Sequence, residues 1–222
     1  MPIKIDQIIR SQRKTLALIV KPDGSLIVRA PLRTNEETIK DFVENNAQWI
    51  EKKQAEVQAI IRPVPKQYIP GEMFIYLGNA YPLEIVKGQK IPLLLNQNFK
   101  LAESAQGYAG LAFERWYRKQ AKQILTERVH LYADQYGFQF RKIGITSART
   151  RWGSCSANGS LNFSWRLIMA HIEAVDYVVV HELVHTVFHN HSKRFWNKVA
   201  KIMPDYKERR QWLKRNGRQL IL

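Results

Sequence analysis

Residues 181–192 read HELVHTVFHNHS, and the spacing inside this stretch governs how the remainder of the chain is read. His181 and His185 stand four positions apart. On a helix they therefore lie one above the other on the same face, where two imidazoles can share one metal. Glu182 follows the first histidine, displaced around the helix so that its carboxylate reaches a metal-bound water without filling a coordination position. Zinc lowers the pKa of bound water toward ~7 and polarises a carbonyl, which makes Glu182 the expected general base. Four of the six histidines crowd into the eleven residues 181–191, a clustering that favours a metal over histidines bonded only to their neighbours.

A catalytic zinc takes three protein ligands and keeps one position open, and His189 and His191 are the nearest further donors. His189 continues the helical stripe, but at a rise of ~1.5 Å per residue its backbone lies ~12 Å along the axis from His181. Three imidazoles on one straight helix cannot converge on bonds of ~2.0–2.1 Å. The third donor must arrive after the helix breaks, and His191 follows Asn190, a residue that tolerates the left-handed cap conformation. His191 is therefore the chosen ligand. Its separation of six positions from His185 equals that of the metzincin pattern, with Phe188 where that pattern has glycine, so a different turn is required. His189 is left as a supporting or surface histidine, while Glu173, Asp205 and Glu208 stay open as alternative third ligands from an adjoining helix.

From His171 to about Phe188 the apolar residues Ile172, Val175, Val178, Val179, Leu183, Val184 and Val187 cover most of a helical surface, which predicts a helix buried on several sides. Upstream of it, FQFRKIGITSA and LNFSWRL alternate like strands and are expected to pair as a hairpin across TRWGSCSANGS. Residues 111–136 contain neither Pro nor Gly and predict a long amphipathic helix that Gly137 stops. KRFWNKVAKIM predicts a helix ended by Pro204, and the basic tail a final one. Near the amino terminus TLALIVKPDGSLIVRAP reads as a hairpin turning at Pro22-Asp23-Gly24. A helix should follow, with Ile39, Phe42, Val43, Trp49 and Ile50 at near-helical spacing and Glu36 and Glu37 beside a Thr or Asn cap. Beyond a stretch broken by Pro63, Pro65 and Pro70, the segments MFIYLGNAYPLEIVKG and IPLLLNQNFKLA read as short strands. The expected class is α+β, with a β-rich amino-terminal region carrying one helix over residues 1–103 and the metal-site domain over 104–222.

The chain carries 35 Lys and Arg against 19 Asp and Glu, a net charge of +16. Such a field favours anionic partners, so nucleic acid or a nucleotide is admitted as a partner although no recognisable nucleic-acid module accompanies the charge. No window approaches the ~18 apolar residues of a membrane span, and no membrane partner is expected. MPIKIDQIIRSQRK has no apolar core or small-residue cleavage site of a secretory signal. The single cysteine, Cys155, rules out an internal disulfide framework. A cytoplasmic location is the expectation.

Beyond the metal motif stands an ordered series of blocks: RWGSCS at Arg151 to Ser156, LNFSWRLI, YVVVHELVH, NHSKRFW at Asn190 to Trp196, and MPDY at Met203 to Tyr206. Together with RSQRKT, VRAP and QWIEKK nearer the amino terminus, the series resembles the YgjP-like metallopeptidases, a minimal zincin group related to the WLM and SprT-like proteins. The likeness covers nearly the whole chain, with Phe163 standing where a smaller or aliphatic residue is expected. It implies a minimal zincin-like core of a long helix, a small sheet and the HExxH helix, with an amino-terminal β-rich subdomain. It also implies one zinc ion held by His181, His185 and His191, with Glu182 as catalytic acid/base.

Three functions follow. The leading one is a zinc-dependent peptidase that acts on a peptide or protein carbonyl. The second is a metal-dependent phosphohydrolase acting on nucleoside triphosphates, for which no P-loop is present. The third is a basic nucleic-acid-associated protein with a structural metal, which calls for a closed four-ligand site where only three ligands are named. Arg151 is a candidate substrate-binding residue that would stabilise developing negative charge, the alternative being a clamp, with Trp152, between strand and helix. Cys155 reads as an extra metal ligand or as a small packed residue. Phe195 and Trp196 should pack the next helix against the HExxH helix and so aim the third ligand.

Overall fold

A computed structural model describes residues 3–21, 23–58 and 65–222. It divides into two compact units, Met1–Arg62 and Pro63–Leu222. The described residues form six α-helices and three small sheets, an α+β architecture.

In the first unit β2 (Ala17–Val20) and β3 (Leu26–Pro31) make the expected antiparallel hairpin. Asp23 helps close its turn by accepting from the Ser25 N–H at 2.9 Å; Pro22 lies outside the described residues. A further strand, β1 (Gln7–Ser11), not marked by hydrophobic alternation, pairs parallel to β3. The expected single helix is two, α1 (Glu36–Asn45) and α2 (Ala47–Gln58). Asn35 caps α1 through its side chain, 2.8 Å from the Thr38 N–H. The break at Asn46 shifts the helical phase, so Ile39, Val43 and Ile50 enter the core with Leu26 and Val28 while Trp49 is left exposed.

The second unit opens with β4 (Met73–Tyr76), β5 (Asn79–Val86), β6 (Leu93–Leu95) and β7 (Phe99–Ala102), in the order β4-β5-β7-β6. These strands share one core with α3 (Ala109–Tyr136), through Phe74 and Phe113 with centroids 4.1 Å apart and Phe99 and Phe113 at 5.1 Å. Tyr117 on α3 also donates to the Ile75 carbonyl at 2.6 Å. The compact units therefore divide at 62/63, whereas the sequence places the change of character near 103. Gly137 ends α3 at φ 72°, the left-handed position that glycine adopts without strain.

The third sheet corrects the expected hairpin. β8 (Lys142–Thr146) and β10 (Ser160–Ser164) pair parallel, and the hairpin is made by β9 (Gly153–Cys155) with β10, in the order β8-β10-β9. The RWGSCS stretch is thus partly a strand. Residues 147–152 carry the chain across, held by Ser164 Oγ donating to the Ala148 carbonyl at 2.7 Å and Arg166 to the Ser147 carbonyl at 3.0 Å. The tight turn falls instead at Asn158 and Gly159, the latter at φ 76°.

Helix α4 (Ile172–Val184) is the spine of this unit. Residues 174–180 and 182–184 are all buried, packed by α3, β9, α5 (Lys193–Ile202) and α6 (Tyr206–Asn216). His171 caps its start by accepting from the Ala174 N–H. Arg128 on α3 grips Asp176 on α4 in a two-pronged ion pair, both contacts at 2.5 Å. Helix α4 ends earlier than the apolar pattern suggests, at Val184 with His185 as cap, so Val187 is exposed. No helix is long and apolar enough to cross a membrane among the described residues.

Candidate metal centre

The early end of α4 sets the geometry of the site. Successive turns at residues 186–188 pull the chain off the helix axis, with Thr186 N–H on the Leu183 carbonyl and Phe188 N–H on the Val184 carbonyl. The chain then doubles back into α5. Asn190 was expected to turn in the left-handed conformation. Instead positive φ outside glycine occurs only at Tyr68 and Leu77 among the described residues, and Asn190 shapes the turn with its side chain, accepting from the Ser192 N–H at 3.2 Å.

The result is a convergence of three imidazoles. His191 Nε2 lies 3.1 Å from His185 Nε2 and 3.1 Å from His181 Nε2, and all three donor atoms lie within 4.8 Å of one another. Nitrogen ligands at ~2.0–2.1 Å from a tetrahedral ion sit ~3.3 Å apart, so these spacings fit a single cation. The ring of His185 is oriented by its Nδ1–H, which faces the Phe188 carbonyl at 2.9 Å, leaving the Nε2 lone pair for a ligand. His181 is held neutral: burial, then the fields of His185 and His191, bring its pKa down to about 3. Its Nδ1 is buried without a hydrogen-bond partner among the described residues. Burial likewise lowers the pKa of His185. Neutral rings are what a metal requires.

Phe195 and Trp196 on α5 close around the triad. Phe195 packs against all three rings, at centroid distances of 4.9, 4.4 and 4.8 Å from His181, His185 and His191. Trp196 stacks on His191 at 5.6 Å. Of the other candidate ligands, His189 is exposed, Glu173 bonds to His171 at 2.8 Å, Asp205 pairs with Arg209 at 2.6 Å, and Glu208 is exposed. None joins the cluster. Cys155 faces the Ser156 carbonyl at 3.5 Å, and burial raises its thiol pKa.

Glu182 is buried beside the triad, and burial pushes its pKa up to about 7 against the opposing charge of Arg151. Its neighbour is Gly153, whose missing side chain leaves the room: a Cβ there would stand 2.6 Å from Glu182 Cγ and Oε1. Strand β9 is an edge of its sheet and packs against α4. Arg151 is exposed and lines a cavity of about 270 Å³ with Trp152 and Gly153. A second cavity of about 280 Å³ is lined in part by His181, Glu182, Trp152, Tyr177 and Arg210.

The structure brings together His181, His185, His191, Phe195 and Trp196, all named from the sequence; Gly153 and Arg210 were not singled out there. The signal for Gly153 was the Asn158-Gly159 dipeptide, which marks a two-strand turn and makes the preceding GSC a strand. Arg210 was indistinguishable from the other cations of the tail.

No curated protein matches the chain. Among solved structures it is similar to the metallopeptidase zymogen of Pyrococcus abyssi abylysin, with 23% identity, 40% of this chain and 93% of that chain covered, and a TM-score of 0.37; a likeness of that size carries no functional argument. The YgjP-like metallopeptidase domain model, by contrast, matches residues 14–216, nearly the entire length over which the sequence blocks and the histidine site are distributed. The chain belongs to the YgjP-like metallopeptidase family.

Proposed function

We propose that this chain is a zinc-dependent peptidase in which His181, His185 and His191 hold the ion and Glu182 is the general base. The observation that carries the reading is the convergence of three imidazole nitrogens beside the buried carboxylate of Glu182. When bound, zinc supplies Lewis acidity toward a carbonyl oxygen and makes an adjacent water more acidic. Glu182 takes a proton from the attacking water and later delivers it to the departing amine, for which a pKa near neutrality suits both transfers. The edge of β9 offers main-chain donors and acceptors to an extended peptide, and Gly153 makes room for the Glu182 carboxylate against that strand. Arg151, whose charge already reaches Glu182, balances negative charge developing on the carbonyl oxygen.

The test compares metal content and peptide hydrolysis in purified proteins. E182Q is expected to bind zinc as wild type does and to lose ~10²–10⁴-fold in kcat, whereas H191A is expected to fall well below one zinc per chain. Full zinc occupancy in H191A would refute the third ligand. Undiminished turnover in E182Q would refute the base.

A further inference from the structure

We propose that the cavity beside the triad is a subsite for a carboxylate of the substrate, with Arg210 as its recognition residue and Lys214 at its rim. This rests on the peptidase reading above. Two sources share that chemistry: an acidic side chain flanking the scissile bond and the free carboxy terminus of a peptide.

The cavity, of about 280 Å³, is walled by the apolar faces of Trp152, Tyr177, Val178 and Leu213 and shares His181 and Glu182 with the metal centre. That volume sits at the small end of ligand pockets, which begin at ~300 Å³, and suits one side chain or one chain terminus. Its charges are unbalanced. Nearby acidic groups already have partners: Asp176 pairs with Arg128 at 2.5 Å, Asp205 with Arg209 at 2.6 Å, and Glu173 with His171 at 2.8 Å. Neither Arg210 nor Lys214 pairs with a carboxylate among the described residues, and both line the cavity. The remaining acid in the cavity is Glu182, and the cation that reaches it is Arg151.

Arg210 is also positioned in advance. Its guanidinium sits 4.9 Å from the centre of the Trp196 ring, which also stacks with His191 at 5.6 Å and with Tyr206 at 5.3 Å. A planar cation held on an aromatic face keeps its donors free for a carboxylate and loses little entropy on binding one. A cation merely dissolved on the helix surface would confer no selectivity on the site.

The experiment uses acetylated, amidated peptides that carry Glu, Gln or Lys on either side of one scissile bond, and the neutral peptide with a free carboxy terminus. Zinc-loaded wild type is expected to favour a carboxylate-bearing member over its neutral counterpart by ~10-fold or more in kcat/KM. R210Q should reduce that preference to ~2-fold, and R210E should turn it toward Lys. K214E, at a side chain remote from the Trp196 stack, should weaken the preference without any effect on the rings. Calorimetric titration of metal-free E182Q with the same peptides reads binding apart from turnover and should give the same order of affinities. A preference among the amidated peptides identifies an acidic side chain as the occupant, and one confined to the free-acid peptide identifies the chain terminus. Cleavage with no carboxylate preference, or with a preference untouched by R210E and K214E, overturns the subsite and leaves the peptidase standing. Failure to cleave any peptide refutes the peptidase reading and this subsite with it.

Discussion

Gly153 and Glu182 are joined by a steric relation that neither shows alone. The carboxylate occupies space that any side chain at 153 would claim, since a Cβ would approach it to 2.6 Å. Gly153→Ala forces the buried Glu182 side chain to shift from its Cγ outward and should cost about 1–3 kcal/mol of stability. The carboxylate would then stand out of place, and displacement of about 1 Å at a reacting group costs ~10²-fold. The expected result is peptide hydrolysis down ~10–10²-fold with zinc content unchanged, read by kinetics alongside metal analysis. Wild-type activity in this variant would show that the carboxylate position is not critical. His185 illustrates the same dependence on a neighbour: the Phe188 carbonyl at 2.9 Å selects the tautomer that frees Nε2.

Helix α4 carries two of the three imidazoles and Glu182, so whatever fixes this helix fixes the centre. Its hydrophobic surface is buried nearly all round, but burial is non-directional and sets no rotation or register. The Arg128–Asp176 pair does, tying α3 to α4 through two contacts at 2.5 Å. Asp176 is nearly buried while Arg128 keeps some solvent contact, so breaking the pair should cost less than the 3–5 kcal/mol typical of fully buried ones. Asp176→Asn is expected to lower stability by about 2 kcal/mol in urea denaturation. A loss under about 0.5 kcal/mol would show that apolar packing alone registers the two helices.

Folding and ionisation are coupled across the molecule through the same buried groups. Burial raises Glu182 from an ordinary 4.5 to about 7, so between those values the folded metal-free protein keeps a proton that the unfolded chain has released. The contribution of Glu182 to stability therefore falls as pH rises from about 4.5 to about 7. His181 has the opposite sign: its pKa drops from 6.5 to about 3, and its contribution rises with pH across that window. A comparison of wild type with E182Q cancels the histidine. Metal-free E182Q should gain stability relative to wild type between pH 5 and pH 7.5, by up to about 3 kcal/mol, in denaturant titrations at the two pH values. A difference that does not change with pH would show that Glu182 ionises as freely in the folded protein as in the unfolded chain.

The histidine spacing, the buried character of α4, the long α3 stopped by Gly137 and the α5 helix before Pro204 were all legible in the order of residues, because each depends on contacts within a few turns of one helix. So was the convergence of His191, rather than His189, on His181 and His185, since a straight helix has a fixed rise and cannot bend three rings to one point. The parallel pairing of β8 with β10, the sharing of a core by β4–β7 and α3, the split at Asn46 and the true end of α4 were not legible. They turn on which distant segments meet, and hydrophobic alternation says which face is apolar without saying what it packs against. Gly153 and Arg210 belong with these. A glycine that makes room for a carboxylate and an arginine laid on a tryptophan acquire their meaning only when residues far apart in the chain are brought into contact.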